Sequence, residues 1–441
     1  MRISLSKWTW RGIIALLVLS LLPTGALIAP MPAAAQSNPR VGISCTTGGP
    51  NPTFTLSADD GHIILGDGNT MYMWGYTIAG QAFQHPSPVL CVNEGDIVTI
   101  VLQNGLYEPV SIMFPGQENV LANGVAAQPE FDVNGAVTSM TDTAPPNGSM
   151  TYSFVASNPG TYIYESGTNP EKQVRMGLFG VLIVRPSTVP AGGQSSNPAH
   201  YVYDDASTQF TPEEEFLALL SEIDPYQHMA EEQRKPYDLT QYHPTYWLIN
   251  GRTFPDSIAD NFATWLPNQP YGALARIHPF DTANHPFPGV ERFVNVGSED
   301  YPFHPHANSG AVIARDGRLL QGDGGQDQSM EKFSINIGPG QTWDVLFKWY
   351  DAENYNDATN PVPVTEPDIA NLTFGMFYSG SPYLGAQGPL PPGSSTLNQC
   401  GEYYIISHNH ALFQLDAWGM TMAGQITYLR VDPPLPNSCP Q

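Results

Sequence analysis

The chain reads as an all-β protein made of two β-sandwiches. Three observations predict this. Short alternating or wholly apolar runs rich in Val, Ile and Tyr recur along the sequence. Turn formers punctuate them, with 42 Pro and 41 Gly in 441 residues. Long runs of helical period are scarce, and this combination favours sandwiches over helical folds. The length suits two or three domains of ordinary size.

The N-terminus is expected to be a leader. Lys7 and Arg11 precede the apolar run Ile13–Leu22, and Pro32 to Ala35 supply small residues for cleavage. Residues 1–35 are therefore set aside as a signal peptide, with an uncleaved anchor as the other reading. No later apolar run approaches the ~20 residues a membrane-spanning helix needs. Export implies a secreted, periplasmic or cell-envelope protein in an oxidising compartment, and four cysteines suit it. Cys45 with Cys91 and Cys400 with Cys439 are the expected pairs, each closing one half of the chain. Four cysteines allow three pairings, so the alternatives stay open. None stand in C-x-x-C spacing, which makes thiolate metal binding the weaker reading.

Residues 41–187 form the first expected sandwich. Asp96–Leu102 alternates after the turn Asn93-Glu94-Gly95, and Ser149–Val155 alternates again. Gly160–Glu165 and Gly180–Val184 complete the pattern. A linker at 188–199, rich in Pro, Gly, Ser and Asn, marks a boundary. The second sandwich spans 200–441. Its opening, Thr211–Ile223, has two readings. Thr211 with Glu214 resembles a capping box with Pro212 in the first turn, yet Phe216–Ile223 equally suits a buried strand. Pro225–Lys235 is expected to be a short helix. Strands are expected near Tyr246 and at Gly272–Ile277, Glu291–Val296, Ala311–Ala314, Phe333–Ile337 and Thr342–Tyr350. A long loop, 351–398, follows, and loops of that length are usually functional or mobile.

The formal net charge is −24, and it becomes more negative once Arg2, Lys7 and Arg11 leave with the leader. Such a surface repels nucleic acid and anionic lipid, so neither is expected as a partner.

The densest chemical offer is a pair of His-x-His elements: His304 with His306, and His408 with His410. Residues i and i+2 of a strand share a face. If the two strands are neighbours, four imidazoles converge, and neutral imidazole ligates zinc, copper and iron. His278 and His285, in a Pro-rich loop, are read as surface or turn residues, with a second metal site as the sharper alternative. His62, His85, His200, His228 and His243 stand alone.

At these segments the chain resembles the multicopper oxidases, built from cupredoxin domains. The first half carries VNEGDIVTIVLQNGLYEPVSIMFPG, GTYIYESG and MGLFGVLIV. The second carries LINGRTFPD, ERFVNVGSEDYPFHPHANSGAVIARDG, INIGPGQTWDVLF and GEYYIISHNHALFQLDAWGM. The resemblance implies two cupredoxin-like Greek-key sandwiches. It also implies four His-x-His pairs around a copper cluster. Met113 and Pro115 stand where one first-half pair would be, and Glu165 and Gly167 where the other would be. His304/His306 and His408/His410 match the second-half pairs. The family's type 1 copper needs a Cys and two His; its positions fall on Tyr301, Asn409 and Gln414, with Met420 or Met422 near the axial place. The resemblance thus implies the fold and one residual site. Its expected ligands are His304, His306, His408 and His410, with Glu165 as a further ligand or a base.

The resemblance points to copper, and imidazole donors also take zinc, manganese or iron. If active, the protein would be a copper-dependent oxidoreductase on a small-molecule or metal substrate. A homotrimer that completes the site between chains is implied by two-domain relatives. The rival expectation is a non-enzymatic exported binding or cell-envelope scaffold.

Overall fold

The computed structural model describes residues 39–306, 309–350, 402–437 and 439. The expected leader, Cys400 and the loop 351–398 lie outside the described residues.

A strand with one apolar face needs a partner layer to cover it. The first half supplies two sheets. One runs, in spatial order, Cys45–Thr47, Val89–Asn93, Phe179–Arg185, Gly160–Glu165. The other runs Thr70–Ile78, Thr53–Ile64, Ile97–Asn104, Ser149–Val155, and ends in two short strands, Leu121–Ala122 and Val125–Ala126. Leu56, Ile100, Leu102 and Tyr152 from one sheet meet Leu90, Leu182 and Val184 from the other in a shared core. The Cys45–Cys91 disulfide is present, joining the first two strands of the smaller sheet with Cα atoms 5.5 Å apart.

The second half repeats the plan. A seven-stranded sheet orders Tyr246–Ile249, Glu215–Ile223, Gly289–Asn295, Thr342–Phe347, Gly310–Arg315, Arg318–Leu319, and Met330–Lys332 pairs with Gly310–Arg315. A five-stranded sheet orders Ala275–Ile277, Ile426–Val431, Tyr403–Asn409, Tyr301–Pro305, Ile335–Ile337. Phe293, Val312 and Val345 pack against Tyr301, Phe303 and Ile337 between them.

The two inner sheets back onto each other. Ile163, Val181 and Ile183 of the first half pack with Leu217, Leu219 and Val294 of the second. The layers therefore run six, four, seven and five strands. Inner strands are covered on both faces, which is why they read as continuous apolar runs rather than alternating ones. This decides the segment with two readings. Every residue from Glu215 to Ile223 is buried, as a strand between two layers must be. The helical start shrinks to one 3₁₀ turn, Pro212–Glu214, and the Thr211 side chain caps nothing. Charges trapped between the layers are paired: Arg292 reaches Glu215 at 2.7 Å and Asp344 at 3.2 Å, and Arg185 reaches Glu215 at 2.7 Å.

The short helix forms at Pro225–Glu232, with the Asp224 carboxylate accepting from Tyr226 N–H at 2.8 Å. The strand expected from Gly272 starts only at Ala275. Gly272 N–H and Ala273 N–H are committed instead to Asn261 Oδ1 and the Ser257 carbonyl. Among the described residues no helix is long and apolar enough to cross a membrane.

Candidate metal centre

Antiparallel register decides which side chains meet. In strand Tyr301–Pro305, Tyr301 and Phe303 fill the sandwich core and turn His304 to the opposite face. That strand pairs with Tyr403–Asn409 so that His304 stands directly opposite His408. Two backbone bonds carry the ladder past the strand ends: His306 N–H to the Ile406 carbonyl at 3.2 Å, and His410 N–H to the Pro302 carbonyl at 2.7 Å. All four imidazoles consequently share one face. Ring centroids lie 4.8 Å apart for His304–His306, 5.0 Å for His306–His408, 5.2 Å for His304–His410 and 5.4 Å for His408–His410.

The rings are also oriented. His304 Nδ1–H donates to the Phe333 carbonyl at 2.7 Å, and His408 Nδ1–H to the Asn409 carbonyl at 2.7 Å. Each bond leaves Nε2 as the free lone pair, the arrangement that outer partners impose on metal-ligating histidines. His306 Nε2 and His408 Nε2 are 2.9 Å apart. Metal–nitrogen bonds of ~2.0 Å place neighbouring ligand atoms about 2.8–3.3 Å apart, so this spacing fits a shared ion. Burial lowers the pKa of both His306 and His408, and the adjacent imidazoles push further in that direction. Both shifts favour the neutral ring, the form that ligation requires. Among the described residues a cleft of about 870 Å³ opens beside His304, bordered by Phe287, Glu331, Phe333, Lys348 and Tyr350.

The first-half positions behave differently. Met113 and Glu165 do come together, bridged through both backbones. Gly167 is packed against Met113, whose Cγ would lie 2.7 Å from a Cβ added there. Behind them the Ser111, Ser139 and Thr168 hydroxyls bond one another at 2.8 and 3.0 Å. Burial raises the Glu165 carboxyl to about 7. Its carboxylate forms no hydrogen bond or ion pair with the four imidazoles.

The type 1 positions also converge, and they hold an amide network. Asn409 Nδ2–H donates to Gln414 Oε1 and, at 2.7 Å, to Gln425 Oε1. Gln414 Nε2–H donates to Glu299 at 2.8 Å. The Tyr301 hydroxyl bonds Glu222. No thiol is among these groups.

His278 and His285, expected at the surface, are instead turned inward around Glu214, with His285 5% exposed and Glu214 2% exposed. In the sequence Glu214 stands as one partner of a capping-box pattern. Its distance of 64 residues from His278 leaves no local signal of this pairing.

The fold is a layered pair of cupredoxin-like sandwiches, and the comparisons find the same architecture. Residues 70–189 match the family model described as multicopper oxidase. The blue copper oxidase from Nitrosomonas europaea is similar in structure, with a TM-score of 0.52, 18% identity, and coverage of 86% of this chain and 85% of that one. The multicopper oxidase mgLAC superposes with a TM-score of 0.53, 17% identity, and coverage of 86% of each chain. A curated relative from Kuenenia stuttgartiensis, a probable nitrite reductase-hydroxylamine oxidoreductase fusion protein, is 33% identical over 128 residues. That stretch spans 28% of this chain and 14% of the relative. Residues 70–189 therefore match a multicopper oxidase domain, and the chain shares its fold with these structures.

Proposed function

We propose that this is an exported protein that keeps one metal ion, copper, on His304, His306, His408 and His410, and that it acts there as an oxidoreductase. The observation that carries the reading is the register setting His304 opposite His408, with Nδ1 of each ring committed to a backbone carbonyl. The leader pattern and the Cys45–Cys91 disulfide support export. Four-electron reduction of oxygen needs an electron-entry thiolate and more imidazole pairs, and those positions hold Met113, Glu165, Asn409 and Gln414 instead.

A bound copper ion would supply one-electron redox chemistry and a Lewis-acid position for a small ligand. The chain's part is to hold neutral imidazoles, fix two of them through the Phe333 and Asn409 carbonyls, and leave the His304 side open to the cleft. Glu165 is the first-half group to add as a base, since a carboxyl near 7 suits proton transfer at neutral pH. The proposal itself rests on the four histidines.

Metal analysis of the purified full chain tests it. We expect near one copper per chain, lost in the His304→Ala, His408→Ala double variant while the circular dichroism is unchanged. A metal-free protein whose melting temperature ignores added copper would establish the rival reading, a non-enzymatic exported scaffold.

A further inference from the structure

A second set of ligand atoms lies outside the four-imidazole face. Glu214 ends the turn before strand Glu215–Ile223, and His278 follows strand Ala275–Ile277. Glu214 Oε1 accepts from the His278 backbone N–H at 2.8 Å and from its Nδ1–H at 2.8 Å, and His285 Nε2 lies 3.1 Å from the same oxygen. One ligand atom from each of the three residues falls within 4.8 Å of the other two. His285 is held in place by a closed turn, in which Asp281 and His285 exchange backbone hydrogen bonds at 3.0 and 2.9 Å.

Hydrogen bonding alone leaves this group incomplete. His278 Nδ1–H donates to Glu214 Oε1, while His285 Nε2 bonds the Thr211 hydroxyl at 3.3 Å and lies beside the same carboxylate oxygen. The remaining nitrogens, His278 Nε2 and His285 Nδ1, are buried with no hydrogen-bond partner, and so is Glu214 Oε2. Three orphaned polar atoms around one carboxylate call for a missing partner. A divalent cation would supply the partner that the Glu214 carboxylate lacks. It would take its bonds from His278 Nδ1, His285 Nε2 and that carboxylate, with the imidazole protons on His278 Nε2 and His285 Nδ1. His278 Nε2–H then faces Asp432 Oδ2, 3.7 Å away, on the side where an outer carboxylate orients a ligating histidine. Asp432 is itself fixed by Arg276 Nε at 2.6 Å and Arg430 Nε at 2.6 Å.

We propose that Glu214, His278 and His285 form a second metal site, a two-histidine, one-carboxylate triad for a divalent transition ion such as zinc. Such donor sets leave coordination positions open for water or a small ligand. A cleft of about 440 Å³ reaches His285, bordered by His200, Thr211 and Phe287, and provides the approach. The site is independent of the copper reading.

The experiment uses the full chain carrying His304→Ala and His408→Ala, so that the copper site is removed first. After chelator treatment, zinc is titrated by calorimetry and the bound metal is counted. One zinc per chain is expected. Adding Glu214→Gln or His285→Gln should weaken it by at least about 100-fold, beyond what loss of an outer partner costs. X-ray absorption of the zinc-loaded parent variant, in which the triad is intact, should count two imidazole ligands. A folded parent variant that binds no zinc overturns the site, as does binding indifferent to both substitutions. A zinc spectrum without imidazole ligands overturns it too, even if the triad variants fail to fold.

Discussion

Two strand crossings occupy matching places in the two halves, and they were put to different use. In the first half, Met113 bridges Glu165; in the second, His304 faces His408. The first crossing is filled by a thioether packed on Gly167 and by a knot of buried hydroxyls. The second gathers four imidazoles on one face, with His304 bordering a cleft. Both retain the backbone pairing. The sandwich is therefore held by its apolar layers, and the side chains at the crossing are free to bind metal or simply to fill space. A third place, around Asn409 and Gln414, is filled by amides that satisfy one another.

The largest effect that could break this contrast is on metal affinity. His304→Ala with His408→Ala should lower copper affinity by about 1000-fold or more, because two direct ligands go and even outer partners matter 10–100-fold. Met113→Ala and Glu165→Gln should each stay within about threefold, since neither residue is in the ligand set. Competition against a chromophoric chelator measures both. A tenfold loss in Glu165→Gln would make the first half part of the site and erase the distinction.

Next in size is the buried carboxyl beside the amide network. Burial raises Glu222 from 4.5 to about 7. The folded state then binds a proton that the unfolded chain releases above 4.5, so stability falls as pH rises from 4.5 to 7. The whole decline is about 3 kcal/mol. Urea titrations of metal-free wild type and Glu222→Gln across that range should differ by this slope. Parallel curves would show that Glu222 is ionised in the fold.

Gln414→Ala strips partners from Asn409 and Glu299 inside the second sandwich. It should cost about 1–3 kcal/mol, the usual effect of leaving buried polar groups unpaired. Chemical denaturation reads it directly. Gly167→Ala tests the packed crossing of the first half. Its new Cβ meets Met113 Cγ, so a loss of about 1–2 kcal/mol is expected, recovered in part by Met113→Ala. A neutral Gly167→Ala would mean that the first crossing is loosely filled, and the contrast with the second would weaken.

Much of the fold could be read along the chain. Ser149–Val155 and Gly160–Glu165 fall where alternation and turn residues put them. The segment Thr211–Ile223 could not be settled that way, because a capping pattern and an apolar run are both local signals and point in opposite directions. Its burial on both faces comes from two sheets contributed by distant residues. The same limit hid Glu214. A carboxylate three residues after a threonine looks like a cap, and nothing nearby announces a histidine 64 positions later.

What the sequence determined by itself is periodicity and chemical type: strands, turns, and two His-x-His elements whose rings must each share a face. Tertiary structure alone decided that those elements are neighbours in register, that the rings are locked through the Phe333 and Asn409 carbonyls, and that Glu214 gathers two histidines. The reason is physical. Alternation along one strand is a local property of the backbone, whereas which strands lie side by side is set by how separate apolar faces find cover from water.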